Sequence, residues 1–280
     1  MEGNKIKLAI LDMYNGIENQ GMRCLREIAE DYCCDLEYAV FDVRQKSQIP
    51  KINEYQIFIS SGGPGNPLEG DGIWDKAYFE LIDNLWQHNL SVEHPWEKKY
   101  AFFICHSFQM VCNHFGLGTI TKRAMTSFGT HPAHKTADGL EDPLYKNLPD
   151  PHYVVESRDY QLIQPGLEVF ERKGAKILAL EKIRNHLEYE RAILAVRFSP
   201  EFVGTQYHPE ADPIGMQKHF EKSENRDKII RNFGLSKYLT MMRHLNDKDK
   251  IILTHASIIP GFLDAAIKAI NIEKFEEIEI

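Results

Sequence analysis

Three short stretches of this sequence carry side chains that could perform nucleophilic chemistry together. Cys105 ends the apolar run YAFFI and precedes a helical pattern. A thiol at such a strand-to-helix turn meets the free N–H groups and positive dipole end of the helix, which stabilise a thiolate and a developing oxyanion. The turn also aims the sulfur beyond the carboxyl edge of a sheet, where α/β sites lie. His208 and Glu210, in QYHPE, follow the strand-like VGTQY. An imidazole there can take a thiol's proton, and a carboxylate two residues on can orient it. The third stretch is Ser60–Gly65, SSGGPG, whose glycines can turn backbone N–H groups toward an anion. The amide of His106, just after Cys105, would complete such an oxyanion hole. Each stretch alone has a plain reading: a buried structural cysteine, a surface histidine beside a proline turn, an ordinary βα turn. Together they support one another, because a thiol nucleophile needs a base and an oxyanion needs donors.

The elements around them must bring these stretches to one sheet edge. Lys5–Met13, Leu36–Phe41, Tyr55–Ser61 and Tyr100–Ile104 read as buried strands. Asn19–Asp31, Ile73–His88 and Gln109–Phe115 show helical spacing. The alternation predicts a doubly wound, mostly parallel sheet. Thr119–Pro151 is rich in turn formers and reads as irregular structure with short strands. Tyr153–Glu156, Leu167–Glu171, Lys176–Glu181, Ala192–Phe198 and Val203–Tyr207 read as short β runs, predicting a mixed sheet or hairpin layer. From Pro213 the pattern is helical, with a polar break at Asn246–Lys250, a last helix over Ile258–Ile270 and a solvated acidic tail, FEEIEI.

Length and charge narrow the class. At 280 residues with 43% hydrophobic content, one large α/β domain with an appendage fits. A net charge of −8 argues against a nucleic-acid surface. The start MEGNKIKLAILDM does not read as a signal peptide, and no run approaches the roughly 18 apolar residues that span a bilayer. The expectation is a cytoplasmic protein with reduced thiols at Cys24, Cys33, Cys34, Cys105 and Cys112. His106, His114, His131 and His134 fit no zinc spacing, so no metal is expected, although His131 or His134 could face the cleft. Cys33 and Cys34 read as a partly buried pair between helix and strand.

FICHSFQ, the downstream YHPE and the upstream SGGPG resemble the class I glutamine amidotransferases, of the GMP synthase glutaminase-domain type. The resemblance runs over roughly Lys5–Asp212. It implies a flavodoxin-like fold, a Cys-His-Glu triad and release of ammonia from glutamine through a γ-glutamyl thioester, with no cofactor. By matched position Cys105 would be nucleophile, His208 base and acid, and Glu210 the orienting carboxylate. Gly63 and the His106 amide would form the oxyanion hole, and Gln109 would line the glutamine pocket. Two departures stand out. Phe103 and Ser107 replace the glycines of the usual G-x-C-x-G elbow, which implies different packing and a narrower pocket. Ser157-Arg158 replaces the family's Ser-His at the end that would bind the substrate's α-groups. Both departures lean toward the homoserine O-acyltransferases, which share fold and triad and transfer an acyl group from acyl-CoA. A non-catalytic binding or regulatory module of the same fold is a third reading. Residues 1–212 would form the amidotransferase-like domain and residues 213–280 a helical C-terminal extension that covers the cleft or makes a homo-oligomer contact. That extension is too short for an ammonia-accepting synthetase, which would be a separate subunit.

Overall fold

The structure is a computed structural model and describes residues 5–183 and 190–272; the FEEIEI tail lies outside the described residues. From Ile6 the chain alternates strand and helix: β1 (Ile6–Asp12), α1 (Gln20–Asp31), β2 (Leu36–Asp42), the short α2 (Val43–Lys46), β3 (Ile57–Ser60), α3 (Trp74–Ser91), β4 (Tyr100–Ile104) and α4 (His106–His114). There follow β5 (Thr119–Lys135), α5 (Ala137–Glu141), β6 (His152–Ile163), α6 (Leu167–Lys173), β7 (Lys176–Glu181), β8 (Ile193–Arg197) and β9 (Phe202–Thr205). The chain closes with α7 (Pro213–Glu221), α8 (Ser223–Phe233), α9 (Leu235–Leu245) and α10 (Leu253–Asn271), the last entered through a π-helical turn at Lys248–Ile252.

All the strands join one nine-stranded sheet in the order β2-β1-β3-β4-β9-β8-β7-β5-β6. The first five are parallel neighbours, in the flavodoxin-like order; β8, β7, β5 and β6 continue the sheet antiparallel. Successive side chains of a strand face opposite sides, and β1 divides accordingly. Ile6, Leu8 and Ile10 pack with Met22, Leu25 and Ile28 of α1 on one side. Ala9 and Leu11 pack with Tyr78, Leu81 and Leu85 of α3 and Phe108 and Val111 of α4 on the other.

Three expectations are corrected. Residues 119–135 are not irregular: they form the long strand β5, paired with β6 from Thr119↔Ile163 to Ala133↔His152 around a bulge between Lys122 and Ser127. The turn formers there serve the bulge and the bends of a long hairpin rather than ending the strand. Leu167–Glu171 is helical, not β: it opens α6, whose single buried residue is Phe170 and which ends on Gly174 at φ 66°. A short apolar run cannot separate helix from strand by pattern alone. Cys33 and Cys34 are exposed rather than partly buried.

The C-terminal helices divide between two cores. Ile229, Met241 and Leu245 pack against Val155 and Phe128 of the β5–β6 hairpin. Ile258, Ile259, Phe262 and Leu263 of α10 enter the main core beside Phe102 and Tyr145. Lys248–Asn271 is long and apolar enough to cross a bilayer, with mean hydropathy 1.3. Its buried apolar residues face the sheet instead.

Candidate active site

The geometry begins at Cys105. Between β4 and α4 its backbone holds φ 48° and ψ −97°, a conformation that costs a non-glycine residue on the order of 1–3 kcal/mol. The surroundings over-determine it. The Cys105 amide donates to the Thr205 carbonyl at 2.7 Å, and the Gln109 amide donates to the Cys105 carbonyl at 3.0 Å. Ser107 takes the place of a glycine and ties the elbow down: its Oγ accepts from the Ile104 amide at 2.9 Å and donates to the Ser60 carbonyl at 2.8 Å. The elbow is thereby joined to the strand that leads into the glycine loop. Phe103, the other replaced glycine, does not narrow the pocket as expected. It faces the opposite side of the sheet, edge-on to Phe198 and Phe202. Room for it is made next door by Gly204, its register partner on β9, where a Cβ would come within 2.9 Å of the Phe103 carbonyl.

His208 follows β9 on a turn pinned to β6, its amide donating to the Val155 carbonyl at 2.9 Å. Its Nδ1 lies 2.8 Å from Oε1 of Glu210, and His208 lines the same cavity as Cys105. Burial disfavours the charged imidazole, but the Glu210 carboxylate and the Cys105 sulfur outweigh it and hold the His208 pKa well above its ordinary value. Glu210 is only 1% exposed, and its Oε2 is buried without a hydrogen-bond partner.

The glycine loop is pressed against β1. A Cβ on Gly63 would stand 2.4 Å from the Met13 carbonyl, so only glycine fits there. Arg44 clamps the two segments: its Nη1 donates to the Pro64 carbonyl at 2.6 Å and to the Met13 carbonyl at 3.1 Å, while its guanidinium lies 5.0 Å over the Trp74 ring. Burial, aided by the Arg44 charge, pushes the His106 pKa down to about 3. His106 is therefore a neutral imidazole, and its Nε2 is buried without a partner.

These stretches enclose a cavity of about 340 Å³ lined by Cys105, Gly63, His106, Gln109, Ser157, Arg158 and His208, together with Tyr14, Asp159 and Tyr160. Every residue given a catalytic, oxyanion-hole or substrate-binding role from the sequence lines it except Glu210, whose Oε1 lies against His208 Nδ1. Gln109 donates to the Gln206 side chain at 3.0 Å, and Gln206 points its amide at the Cys105 sulfur, 3.8 Å away. Arg158 is buried in an ion pair with Glu156 at 3.2 Å and donates to the Tyr160 carbonyl at 3.1 Å. Burial opposes the Glu156 carboxylate's charge, yet Arg158, His131 and the Ser127 hydroxyl hold its pKa down at about 2. His131 and His134 do not line the cavity; His131 meets the Phe128 carbonyl and Lys237. Among the described residues no three potential metal ligands come together. Tyr14, Arg44 and Gln206 join the site without a sequence expectation behind them. Gln206, beside Tyr207 in QYHPE, was within reach of sequence reasoning; Arg44 lies in a polar stretch with no signal.

Fold and site define a flavodoxin-like α/β protein with a cysteine at its strand–helix elbow and a histidine–carboxylate pair facing it. The family model for glutamine amidotransferase class-I matches residues 9–227, and the chain belongs to that family. No curated protein matches the sequence. Among solved structures, a glutamine amidotransferase from Thermotoga maritima is similar at a TM-score of 0.68 and 15% identity, over 95% of this chain and 99% of that one. A glutamine amido transferase from Methylobacillus flagellatus gives a TM-score of 0.56 at 14% identity, over 90% and 94%. The glutaminase domain of a Trypanosoma brucei CTPS, solved with bound acivicin, gives 0.53 at 13%, over 74% and 86%. At these identities the likeness is one of fold.

Proposed function

We propose that this protein hydrolyses the carboxamide of glutamine through a γ-glutamyl thioester on Cys105. The observation that carries the reading is that Cys105 and His208 line one cavity while His208 Nδ1 lies 2.8 Å from Glu210 Oε1 behind it. Cys105 Sγ attacks the amide carbon while the oxyanion takes backbone N–H groups of Gly63 and His106. His208 gives its proton to the leaving nitrogen, and ammonia departs. Water then attacks the thioester with His208 as base, releasing glutamate. Glu210 holds the imidazole in orientation and favours its charged form. Gln109, Ser157 and Arg158 bind the far end of the substrate. Arg158 does so from a buried ion pair with Glu156 that fixes the position of its guanidinium.

In this reading residues 1–212 form the amidotransferase-like unit and residues 213–280 the helical extension. The chemistry needs no cofactor. The ammonia acceptor is a separate synthetase partner, and free thiols suit the cytoplasm.

The test is labelling by an electrophilic glutamine analogue, read by mass spectrometry. Burial pushes the Cys24 pKa up to about 11 and the Cys112 pKa well above its usual value, so neither supplies thiolate. Only exposed Cys33 and Cys34 compete. Modification of Cys105 first, with glutamine protecting it, supports the reading; equal labelling of Cys33, Cys34 and Cys105 defeats it. Coenzyme A released from acyl-CoA with homoserine, and no ammonia from glutamine, would instead assign acyl transfer.

A further inference from the structure

We propose that Lys237, carried by α9 among the C-terminal helices, is a positioning residue that gives the far end of the Cys105 cavity an excess of positive charge, and with it a preference for substrates bearing an α-carboxylate. This deepens the amidase reading above and rests on it.

Helix α9 reaches the site at Gly129. Ser127, Gly129 and His131 share one face of β5, and Arg158, Glu156 and Val154 stand opposite them on β6. A Cβ on Gly129, which holds φ 103°, would come within 2.7 Å of Met241 Sδ and 2.8 Å of Lys237 Cε. Both side chains belong to α9. The helix therefore fills the space left by the side chain that Gly129, the cross-strand partner of Glu156, lacks. Thr130 Oγ1 and His244 Nδ1, 2.8 Å apart, fasten the same helix to the same strand.

Two cations share one buried carboxylate at this junction. Arg158 pairs with Glu156 at 3.2 Å, with 1% and 2% of their side chains exposed. That pair alone is neutral, and a substrate carboxylate would have to compete with Glu156 for the guanidinium. Lys237 changes the balance. Its Nζ lies 3.2 Å from His131 Nε2; burial disfavours its charge, the Glu156 carboxylate favours it and Lys182 opposes it. Burial also lowers the His131 pKa, so that imidazole is neutral and adds no charge of its own. With Lys237 in place, Arg158 and Lys237 together outnumber Glu156 by one charge, and that excess acts across a partly buried space where screening is weak.

The excess lies where the substrate's α-groups would sit. Arg158 and Asp159 both line the Cys105 cavity, and Asp159 is held by the Thr126 hydroxyl at 2.5 Å. A carboxylate and a guanidinium on adjacent residues complement an α-ammonium and an α-carboxylate. Lys237 touches neither group. It acts through Glu156, by leaving the Arg158 charge incompletely neutralised.

The experiment measures kcat/KM of the full-length protein for L-glutamine and for its α-amide, in which a neutral carboxamide replaces the α-carboxylate and the γ-amide is untouched. The γ-acid product is resolved by chromatography. Lys237→Met keeps most of the side chain and removes its charge. It should lower the glutamine-to-α-amide ratio about fivefold, through KM for glutamine with kcat little changed. Lys237→Arg keeps the charge and should restore most of the ratio. Weakened packing of α9 lowers both substrates together and does not move the ratio. An unmoved ratio in Lys237→Met, or an equal fall in Lys237→Arg, therefore overturns the inference and leaves the amidase reading standing. If glutamine forms no thioester on Cys105 of the unaltered protein, the amidase reading falls and this inference with it.

Discussion

Arg44 and Pro64, twenty residues apart in sequence, are joined by a 2.6 Å hydrogen bond from the guanidinium to the carbonyl that follows Gly63. The same nitrogen holds the Met13 carbonyl, against which Gly63 is pressed. Arg44→Gln should therefore lower kcat by about tenfold or more with little change in KM, because the loop amide loses its aim while the glutamyl pocket stays intact. Arg44→Lys keeps the charge without the planar fork and should recover only part of the loss. Steady-state kinetics of the two variants on glutamine check this; an effect on KM alone would contradict it.

At Gly63 the steric limit is direct. Gly63→Ala brings a Cβ to 2.4 Å from the Met13 carbonyl. The loop must shift, and we expect kcat to fall by about 10²–10³-fold, the usual cost of misplacing one oxyanion donor. A circular-dichroism melt separates this from unfolding, since the loop lies outside both main cores.

Cys105 carries backbone strain for the sake of its position. Cys105→Gly and Cys105→Ala should both abolish thioester formation, but they should differ in stability. Glycine adopts φ 48° without penalty, so the Gly variant should melt higher than the Ala variant. Equal melting temperatures would mean that the elbow is not strained.

Buried neutral histidines give the fold an acid sensitivity. Burial, with Lys135 nearby, pushes the His152 pKa down to about 4, and neither of its ring nitrogens has a partner. A histidine with a depressed folded pKa binds its proton in the unfolded chain first. Stability is therefore full above about pH 6.5 and declines as pH falls toward about 4. His152→Asn should flatten that slope by about 1.4 kcal/mol per pH unit, measured by urea unfolding between pH 6.5 and 4.

Truncation after Asp212 removes α10, and with it four fully buried apolar side chains: Ile258, Ile259, Phe262 and Leu263. At about 1.5–3 kcal/mol each, their loss approaches the whole stability of a typical domain of about 5–15 kcal/mol. The truncated chain should be insoluble or molten. A soluble fragment with a cooperative melt would show that the extension is dispensable to the fold.

Much of the molecule was legible in the sequence because its signals are local. The YAFFI run before Cys105 is a strand buried on both faces, and that burial is visible as unbroken hydrophobicity. The glycine loop and YHPE are bounded by turn residues whose constraints act within a few positions. β5 and α6 escape a reading of the sequence because each depends on partners far along the chain: β5 on pairing with β6 across a bulge, and α6 on packing Phe170 into a core the sequence does not display. Tertiary structure alone decided that Phe103 turns away from the cavity into space left by Gly204, that Arg44 reaches the loop, and that α10 belongs to the main core. Residue type and spacing determine which groups can react and which backbone they prefer. Which of them meet depends on close packing between segments far apart in the chain, and that is set only when the sheet and its helices close on one another.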